Sequence, residues 1–450
     1  MSAHTGENGL FAGLFARGRA APETGDQAFL QAMLDVELAL TRALADAGLA
    51  ASDAPEEVAA ACDAADFDIA AIGRSTGEKG TPVPGVLSQL RDRLSDAAAA
   101  DVHKGATSQD ILDTAMMLVA RRALAAIIED LAAAADACAG LADAHRRTLA
   151  PGRTLLQQAL PLTFGLKAAE WLAGLDGARA ELSEVDERTL AVQLGGAVGT
   201  LALYGERGLE IVAGVAAQLE LAEPGLPWHT VRLRPARLAG ALGSVLGVIG
   251  KVARDVILLA QTEVGEVIEG GGEGRGGSST MPHKRNPVGA VASLACAQRA
   301  PGLVATILGA MVQEHERAAG AWQAEWEPML ELLRLAGSGA AAIGESLAGL
   351  EIAGEKMLAD LGLTGSLLMS ESVAGALGDW VGRPAAQQLV ERAARRSVEQ
   401  SRPFRDVLLE VPEIEDSLGA DGVERALDPS HYLGVTDQLI DRALAAHRGG

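Results

Sequence analysis

Apolar residues recur at alternating steps of four and three between Pro235 and the glycines at 270–272. The repeating positions are Leu238, Leu242, Val245, Ile249, Val252, Val256 and Leu259. This spacing places all seven side chains on one stripe of a helix, the pattern of a helix packed at a shallow angle in a bundle. It predicts a long helix with Pro235 in its first turn, where the missing N–H costs least.

Two further segments have the same character. The stretch from 110 to about 150 is rich in Ala and Leu and is followed by Pro151 and Gly152, and a third long helix is predicted to begin after Pro301. Prolines interrupt both ends of the chain more often, which indicates shorter helices there. The pattern therefore predicts an all-α protein with an N-terminal helical domain at 1–105, a central long-helix bundle at 106–355 and a C-terminal helical domain at 356–450.

Composition agrees with helices, since 48% of the 450 residues are hydrophobic but only 3% are aromatic. The formal charge of -22 argues against nucleic acid and anionic membranes as partners. Cys62, Cys138 and Cys296 are too far apart for a disulfide framework or a zinc site, so no metal is expected. The start of the chain does not read as a signal peptide and no run reaches ~20 apolar residues, so a cytoplasmic, soluble protein is predicted.

The segment 277–287 reads Gly-Ser-Ser-Thr-Met-Pro-His-Lys-Arg-Asn-Pro and follows a glycine-rich stretch. A serine becomes a useful base only where donors and a cation stabilise its alkoxide, and Lys284 is the available cation. Pro287 favours a helix start, whose free N–H groups attract anions. The alternative is a flexible surface linker, and composition alone leaves both interpretations open.

This segment resembles the signature loop of the fumarase/aspartase superfamily, Gly-Ser-Ser-x-Met-Pro-x-Lys-x-Asn-Pro. The resemblance implies a homotetramer with a twenty-helix core and active sites shared between subunits. It implies that Ser279 is the catalytic base on a closing loop, with Lys284 as its supporting cation. Ser278 and Asn286 would then contribute to substrate binding.

Two other segments resemble the superfamily's substrate-binding regions. Residues 103–110, His-Lys-Gly-Ala-Thr-Ser-Gln-Asp, are similar to the first, and residues 152–159, Gly-Arg-Thr-Leu-Leu-Gln-Gln-Ala, to the second. The expected substrate-binding residues are Thr107, Ser108, Gln109, Arg153, Thr154 and Gln157, with His103 as a catalytic relay. Taken singly, a histidine such as His103 is more often a capping or surface residue than a catalyst, and an arginine such as Arg153 is more often a helix-end salt-bridge partner.

Within the superfamily, adenylosuccinate lyases generally carry a histidine where this chain has Leu155. A leucine cannot protonate a leaving group. The sequence of the chain resembles the cycloisomerase branch of the superfamily. In that branch a carboxylate of the substrate, 3-carboxy-cis,cis-muconate, closes a lactone ring, and no cofactor is needed. An adenylosuccinate-lyase-like enzyme that releases fumarate and a catalytically silent helical scaffold remain the alternatives.

A tricarboxylate substrate requires local positive charge in so acidic a chain. The available groups in the matched segments are His103, Lys104, Arg153, His283, Lys284 and Arg285. Outside these segments, residues 315–317 are expected on a solvated helical face, and Trp322 and Trp326 are expected to pack together on one face of a helix. Residues 193–200 fit a helix break or a substrate contact equally well.

Overall fold

The computed structural model describes residues 9–270, 276, 277, 281 and 283–449. The chain divides into two compact units, each assembled from separated segments. Unit 1 comprises Met1–Ala134, Gly177–Arg254 and Gly289–Glu345. Unit 2 comprises Ala135–Asp176, Asp255–Val288 and Ser346–Gly450.

Helices dominate the described residues, which confirms the predicted all-α class. The helices are α1 (Ala12–Phe15), α2 (Asp26–Asp46), α3 (Ala54–Ala61), α4 (Ile69–Lys79), α5 (Val83–Arg91), α6 (Asp96–Asp101), α7 (Ser108–Ala144), α8 (Phe164–Thr189), α9 (Gly208–Leu219), α10 (Leu233–Leu259), α11 (Val288–Gly309), α12 (Ala321–Ala324), α13 (Trp326–Ala348), α14 (Gly354–Leu361), α15 (Ser370–Val381), α16 (Arg383–Gln400), α17 (Phe404–Leu409), α18 (Pro412–Leu427) and α19 (Thr436–Gly449). The strands are β1 (Leu149–Thr154), β2 (Gln157–Thr163), β3 (Val267–Glu269) and β4 (Leu350–Ile352).

The predicted stripe on α10 is confirmed. All seven of its apolar positions are buried, and none is more than 6% exposed. Pro235 is the third residue of the helix, because α10 begins at Leu233. Burying such a stripe removes large apolar area from water, and this is the main force that holds a helix of this length in a bundle.

The prediction of a helix start after Pro301 was wrong. Helix α11 begins at Val288, directly after Pro287, and continues through Pro301 to Gly309. Pro301 is on the exposed side of the helix, where the carbonyl that loses its N–H partner can turn toward water. Helix α7 likewise ends at Ala144, before Pro151 and Gly152, because the chain enters strand β1 at Leu149.

By length and composition, α11 could cross a membrane, and it is the one such helix in the described ranges. Only 28% of its most apolar stretch is buried within the chain. The sequence analysis predicted no such segment. Gln298 and Arg299 stand near the middle of the helix, where a bilayer disfavours polar side chains.

The composition gave no sign of the two antiparallel hairpins, β1–β2 and β3–β4. In the first, Leu149 pairs with Thr163 and Thr154 pairs with Gln157, with an irregularity between Pro151 and Arg153. These strands carry few β-branched residues, so pairing within the folded chain overrides their weak intrinsic preference.

Most helices at the two ends of the chain are short, as predicted, but α2 has 21 residues and α16 has 18. In unit 2, helices α15 to α18 close around a core that includes Val373, Phe404, Val407 and Ile414. In unit 1, α2 packs against α9 and α3. The division into three domains at 105 and 355 stays a prediction.

Candidate active site

Residues 103–107 form a tight bend that leads into α7 within unit 1. His103 has φ of 62° and Gly105 has φ of 79°. A Cβ at Gly105 would lie 2.4 Å from the ring of Tyr204, so only glycine fits there. The Tyr204 hydroxyl donates to the carbonyl of Lys104 at 2.9 Å. The bend therefore has a fixed shape before any substrate arrives.

Asp110, in the first turn of α7, fixes the end of this bend. It is 1% exposed, and its carboxylate accepts hydrogen bonds from three backbone N–H groups and two side chains. The partners are Thr107 N at 3.0 Å, Gly195 N at 3.1 Å, Gly196 N at 2.9 Å, Gln193 Nε2 at 3.2 Å and His229 Nε2 at 2.8 Å. A buried carboxylate is stable only when its oxygens are satisfied in this way.

Residues 193–196 are thus held directly against the 103–110 segment. Gln193 exchanges two hydrogen bonds with the Thr114 hydroxyl, at 2.8 and 2.9 Å. Of the two interpretations left open for 193–200, the structure favours a close-packed support at 193–196.

A second buried network lies one turn along α7. Arg232 is 3% exposed, and its guanidinium binds the carboxylates of both Asp113 and Glu325. Burial alone would lower the pKa of Arg232, but Asp113 and Glu325 raise it by more than burial lowers it. The pKa of Arg232 therefore lies above its ordinary value, and the guanidinium keeps its charge. Trp322 donates to Asp113 at 3.0 Å. Segments far apart in sequence are joined here by fully desolvated charges.

Trp322 and Trp326 pack edge to face with ring centroids 4.9 Å apart, as their predicted packing role requires. They belong to different helices, α12 and α13, and not to one helical face.

Gln109 is fully buried between these networks. Its Nε2 donates to Asp113 Oδ2 at 3.1 Å and to the His229 carbonyl at 2.8 Å. The predicted substrate-binding residue is therefore occupied by protein partners in this structure. Thr107 and Ser108, by contrast, are half-buried and border the surface of unit 1.

His103 forms an ion pair with a carboxylate that the sequence analysis did not identify. Its Nδ1 lies 2.7 Å from Oε1 of Glu37 on α2. Burial lowers the pKa of His103, but the charge of Glu37, its hydrogen bond and the charge of Asp110 raise the pKa above its ordinary value. A signal was present in the sequence, because Glu37 interrupts the apolar stripe of Leu30, Met33, Leu34 and Leu44.

The expectation of a solvated helical face at 315–317 was wrong. This segment is not helical, and His315 has φ of 47°. Arg317 is half-buried, and its guanidinium donates to Thr107 Oγ1 at 2.6 Å and to the Ala197 carbonyl at 2.9 Å. The hydroxyl of Thr107, which was predicted to bind an anion, thus lies beside the Arg317 guanidinium. The two residues are 210 positions apart in the sequence, so their contact could not be predicted from spacing.

Lys104 is not available as a free local cation. Its ammonium donates to the Leu49 carbonyl at 2.6 Å and to Asp101 at 2.9 Å. These bonds tie the bend to the end of α2 and to α6. Lys104 therefore belongs to the support of the segment.

Unit 2 carries the second predicted binding region on hairpin β1–β2. Thr154 and Gln157 face each other at its end and are exposed. Leu155 and Leu156 form the turn, with φ of 51° and 64°. They are 97% and 73% exposed. Two leucines in the left-handed region and in water are unfavourable in both respects, so the tip is strained and unpartnered within the described chain.

Arg153 lies at the buried side of this hairpin. Its guanidinium binds Glu266 in a bidentate pair, with distances of 2.9 and 2.5 Å. Glu266 is 1% exposed. The hydrogen bond to Glu266 raises the pKa of Arg153, although burial opposes this. The structure thus places Arg153 in the salt-bridge role that the sequence left open for it.

The signature segment also belongs to unit 2. Asn286 closes its base, because its N and Nδ2 both donate to the Gly276 carbonyl, at 2.9 and 3.0 Å. Gly276 has φ of 69°, and a Cβ there would lie 2.4 Å from the Asn286 carbonyl oxygen. Lys284 is exposed. Ser278 and Ser279 lie outside the described residues.

Taken together, His103, Thr107, Ser108 and Gln109 are brought together in unit 1. Arg153, Thr154, Gln157, Lys284 and Asn286 belong to unit 2. In the described part of the chain, no group of three or more His, Cys, Asp or Glu side chains could hold a metal ion.

Comparison with known proteins identifies the family. The family model described as "Lyase" matches residues 19–302, and that described as "Adenylosuccinate lyase C-terminus" matches residues 366–443. The 3-carboxy-cis,cis-muconate cycloisomerase of Pseudomonas aeruginosa is 46% identical over 444 residues, covering 98% of this chain and 96% of the relative. Nitrosuccinate lyase of Streptomyces davaonensis is 41% identical over 449 residues, covering 97% and 94%.

Among solved structures, the 3-carboxy-cis,cis-muconate lactonizing enzyme from Pseudomonas putida superposes with a TM-score of 0.93 at 40% identity. The superposition covers 98% of this chain and 99% of that one. The chain therefore belongs to the fumarase/aspartase superfamily of lyases.

Proposed function

We propose that this protein is a 3-carboxy-cis,cis-muconate cycloisomerase that forms 4-carboxymuconolactone in protocatechuate breakdown, the β-ketoadipate pathway. The observation that carries the proposal is Leu155 at the tip of hairpin β1–β2, between Thr154 and Gln157. An apolar side chain at this position supplies no acid for a departing group, and lactonisation within one molecule needs none. The cycloisomerase relatives, which match nearly the whole chain, support the same reaction.

In the proposed reaction, one carboxylate oxygen of the substrate adds to a carbon–carbon double bond. The π electrons move onto the neighbouring carboxylated carbon to give an aci-carboxylate, and that carbon then takes up one proton. No group leaves, and no cofactor enters the step. The protein must therefore hold the substrate folded, stabilise the developing negative charge and deliver the proton.

We assign the carboxylate-holding role to the segment of unit 1. Thr107 and Ser108 supply hydroxyl donors, and Arg317 supplies charge next to Thr107. His103 acts as a relay or cationic donor at the same segment. Gln109 keeps these groups in place through its bonds to Asp113 and the His229 carbonyl.

We assign proton transfer to the signature loop of unit 2. Ser279 transfers the proton at the reacting carbon, Lys284 stabilises its alkoxide, and Ser278 binds substrate beside it. Asn286 anchors the base of the loop through Gly276. Thr154 and Gln157 offer neutral donors at the hairpin tip, and Arg153 supports the hairpin through Glu266.

We further propose a cytoplasmic homotetramer in which each active site uses segments from more than one subunit. Helix α11 supports this, since only 28% of its most apolar stretch is buried within the single chain. Val291 and Leu308 on α11 are 46% and 49% exposed. A second copy of the chain covering this surface would remove it from water, as in obligate oligomers. The three cysteines, which are free and buried, fit a reducing compartment.

The activity is tested by giving the purified protein 3-carboxy-cis,cis-muconate and following loss of the conjugated diene, with the lactone identified by NMR. Adenylosuccinate and nitrosuccinate are assayed in parallel, because one family model and one relative are named for such lyases. Lactone formation with kcat/KM at least a hundredfold above either elimination supports the proposal. Turnover of adenylosuccinate or nitrosuccinate without lactonisation would refute it.

The proton-transfer role is tested by Ser279→Ala, with Thr280→Ala as the matched loss of a neighbouring hydroxyl. Ser279→Ala should lose at least a thousandfold in kcat, while Thr280→Ala stays within tenfold of wild type. Lys284→Gln against Arg285→Gln compares two adjacent cations, and only the first should lower kcat strongly. If Thr280→Ala lowers kcat as much as Ser279→Ala, and Arg285→Gln as much as Lys284→Gln, the roles assigned to Ser279 and Lys284 are wrong.

A further inference from the structure

A buried ion pair in unit 1 joins Glu37 to His103. The side chain of Glu37 is 1% exposed and that of His103 is 15% exposed. One carboxylate oxygen of Glu37 lies 2.7 Å from His103 Nδ1. The other, Oε2, is buried and has no hydrogen-bond partner among the described residues. Among the described residues, the His103 imidazole is the only side chain that hydrogen-bonds to this carboxylate.

This geometry fixes the state of the imidazole ring. A buried carboxylate without a hydrogen-bonded partner is costly, so Nδ1 must carry its proton and donate it to Glu37. The remaining ring nitrogen, Nε2, has no hydrogen-bond partner within the described ranges. His103 is also held at φ of 62°, a conformation that non-glycine residues adopt only when their surroundings require it.

The charges around the ring favour a cation. Glu37 on α2 and Asp110 on α7 are the carboxylates that act on His103, and Arg91 on α5 is the opposing guanidinium. Lys104 is next in sequence, but its ammonium is neutralised by Asp101. Burial disfavours the charged ring, but two negative charges act on it against one positive charge, and the net effect stabilises the protonated imidazole.

We propose that Glu37 is a positioning residue that keeps His103 as an imidazolium, so that Nε2–H serves as a cationic donor to a substrate carboxylate. The proposal rests on the cycloisomerase function and extends it. It assigns His103 to anion binding and not to proton abstraction. A ring that is already protonated cannot act as a base, but it can bind an oligocarboxylate beside Thr107 and Ser108.

The pH dependence of the enzyme follows from this assignment. If the imidazolium binds substrate, kcat/KM is retained at low pH and falls as pH rises through the pKa of His103. Removing the Glu37 charge lowers that pKa, so the alkaline fall should begin at lower pH. Because the group binds the anion, KM should rise more than kcat falls.

The first experiment compares Glu37→Gln with Asp35→Asn, which removes a charge from the same helix but pairs with Arg122 and not with His103. In Glu37→Gln the alkaline limb should move down by about one pH unit, giving about tenfold lower kcat/KM at pH 8. Asp35→Asn should leave the limb in place. An unchanged limb in Glu37→Gln, or a shift of the acid limb instead, would overturn the proposal.

The second experiment does not depend on turnover. Wild-type protein with ¹⁵N-labelled histidine is titrated by NMR, with the His103 signals assigned by their loss in His103→Gln. At pH 6.5, the ordinary pKa of histidine, the ring protonated at both nitrogens should predominate, with Nδ1 the last to lose its proton. A mainly neutral ring at pH 6.5, or a neutral form protonated at Nε2, would overturn the proposal even if Glu37→Gln does not fold. A protonated ring in a protein that fails to lactonise would refute only the proposed function.

Discussion

The 103–110 segment of unit 1 and the hairpin tip of unit 2 differ in how fully their groups are bonded. In the first, the carboxylate of Asp110 is saturated by five donors and the flanking bend is closed by Tyr204. In the second, Thr154, Leu155, Leu156 and Gln157 stand in solvent. Both were expected to bind substrate on the same kind of motif resemblance.

The difference indicates that the 103–110 segment and the hairpin tip have different roles in the site. A segment fixed by buried hydrogen bonds can present Thr107 and Ser108 without reorganising when an anion binds, and this is the condition for strong electrostatic stabilisation. An exposed, strained tip has no such support within the described chain. Its groups would gain such support only in the active site shared between subunits that is proposed above.

The largest effect is expected for Asp110→Ala, which removes the centre of the rigid segment. Three backbone N–H groups, Gln193 and His229 would lose their acceptor, costing about 3–5 kcal/mol of unfolding free energy. Urea denaturation at fixed protein concentration measures this. Glu181→Ala, which removes an exposed acid from helix α8, should change stability by less than about 0.5 kcal/mol. A loss in Asp110→Ala no larger than in this control would contradict the rigid-segment account.

Arg153→Met tests whether the hairpin is held from its base. The change leaves Glu266 buried and unpaired, so we expect a loss of about 3 kcal/mol or more. Adding Glu266→Met should restore most of the stability, because a buried pair can be replaced by apolar side chains. A stable double variant whose KM for the tricarboxylate rises more than tenfold would show that Arg153 also binds substrate, as first predicted. That result would contradict a role for Arg153 in supporting the hairpin alone.

The Glu37–His103 pair predicts a pH dependence of stability within unit 1. The pKa of His103 is raised from an ordinary value of 6.5. Its stabilising contribution is therefore complete below about pH 6.5 and is lost as pH rises through the raised pKa. Wild-type unfolding free energy should fall by about 1 kcal/mol more than that of Glu37→Gln across this rise. Parallel stability curves for the two proteins would contradict the pairing.

Leu156→Gly is expected to give the smallest change in stability, and in the opposite direction. Glycine adopts φ near 64° without strain, so the hairpin should gain up to about 1 kcal/mol. Thermal unfolding measures the gain, and kcat/KM should fall if the apolar tip has a role in the assembled site. A variant that is more stable and fully active would show that the strained leucine serves no purpose in catalysis.

Sequence patterns predicted the features that depend on residues close together along the chain. The stripe on α10 and the helix start after Pro287 depend on neighbours along the chain, and both were confirmed. The roles of Glu37, Arg317 and Glu266 were missed because each depends on a contact with a distant residue. Their partners, His103, Thr107 and Arg153, are 66, 210 and 113 residues away in the sequence. The path of α11 through Pro301 was mispredicted because Pro301 lies on the exposed side of the helix, where the carbonyl without an N–H partner can turn toward water. The role of Ser279 was assigned only through the family resemblance, whereas Lys284 was also indicated by the chemistry of its own segment, as the cation beside two serines.

Each active site is proposed to combine the 103–110 segment of one subunit with the signature loop of another. Co-expression of Thr107→Val and Ser279→Ala chains, with mixed oligomers isolated by two affinity tags, tests it directly. Random mixing should restore about a quarter of wild-type lactonisation, since each contribution is intact in half of the copies. Mixing Thr107→Val with His103→Gln, two changes in the same segment, should restore none. Activity no higher than that of the parents in verified Thr107→Val and Ser279→Ala mixtures would contradict the claim.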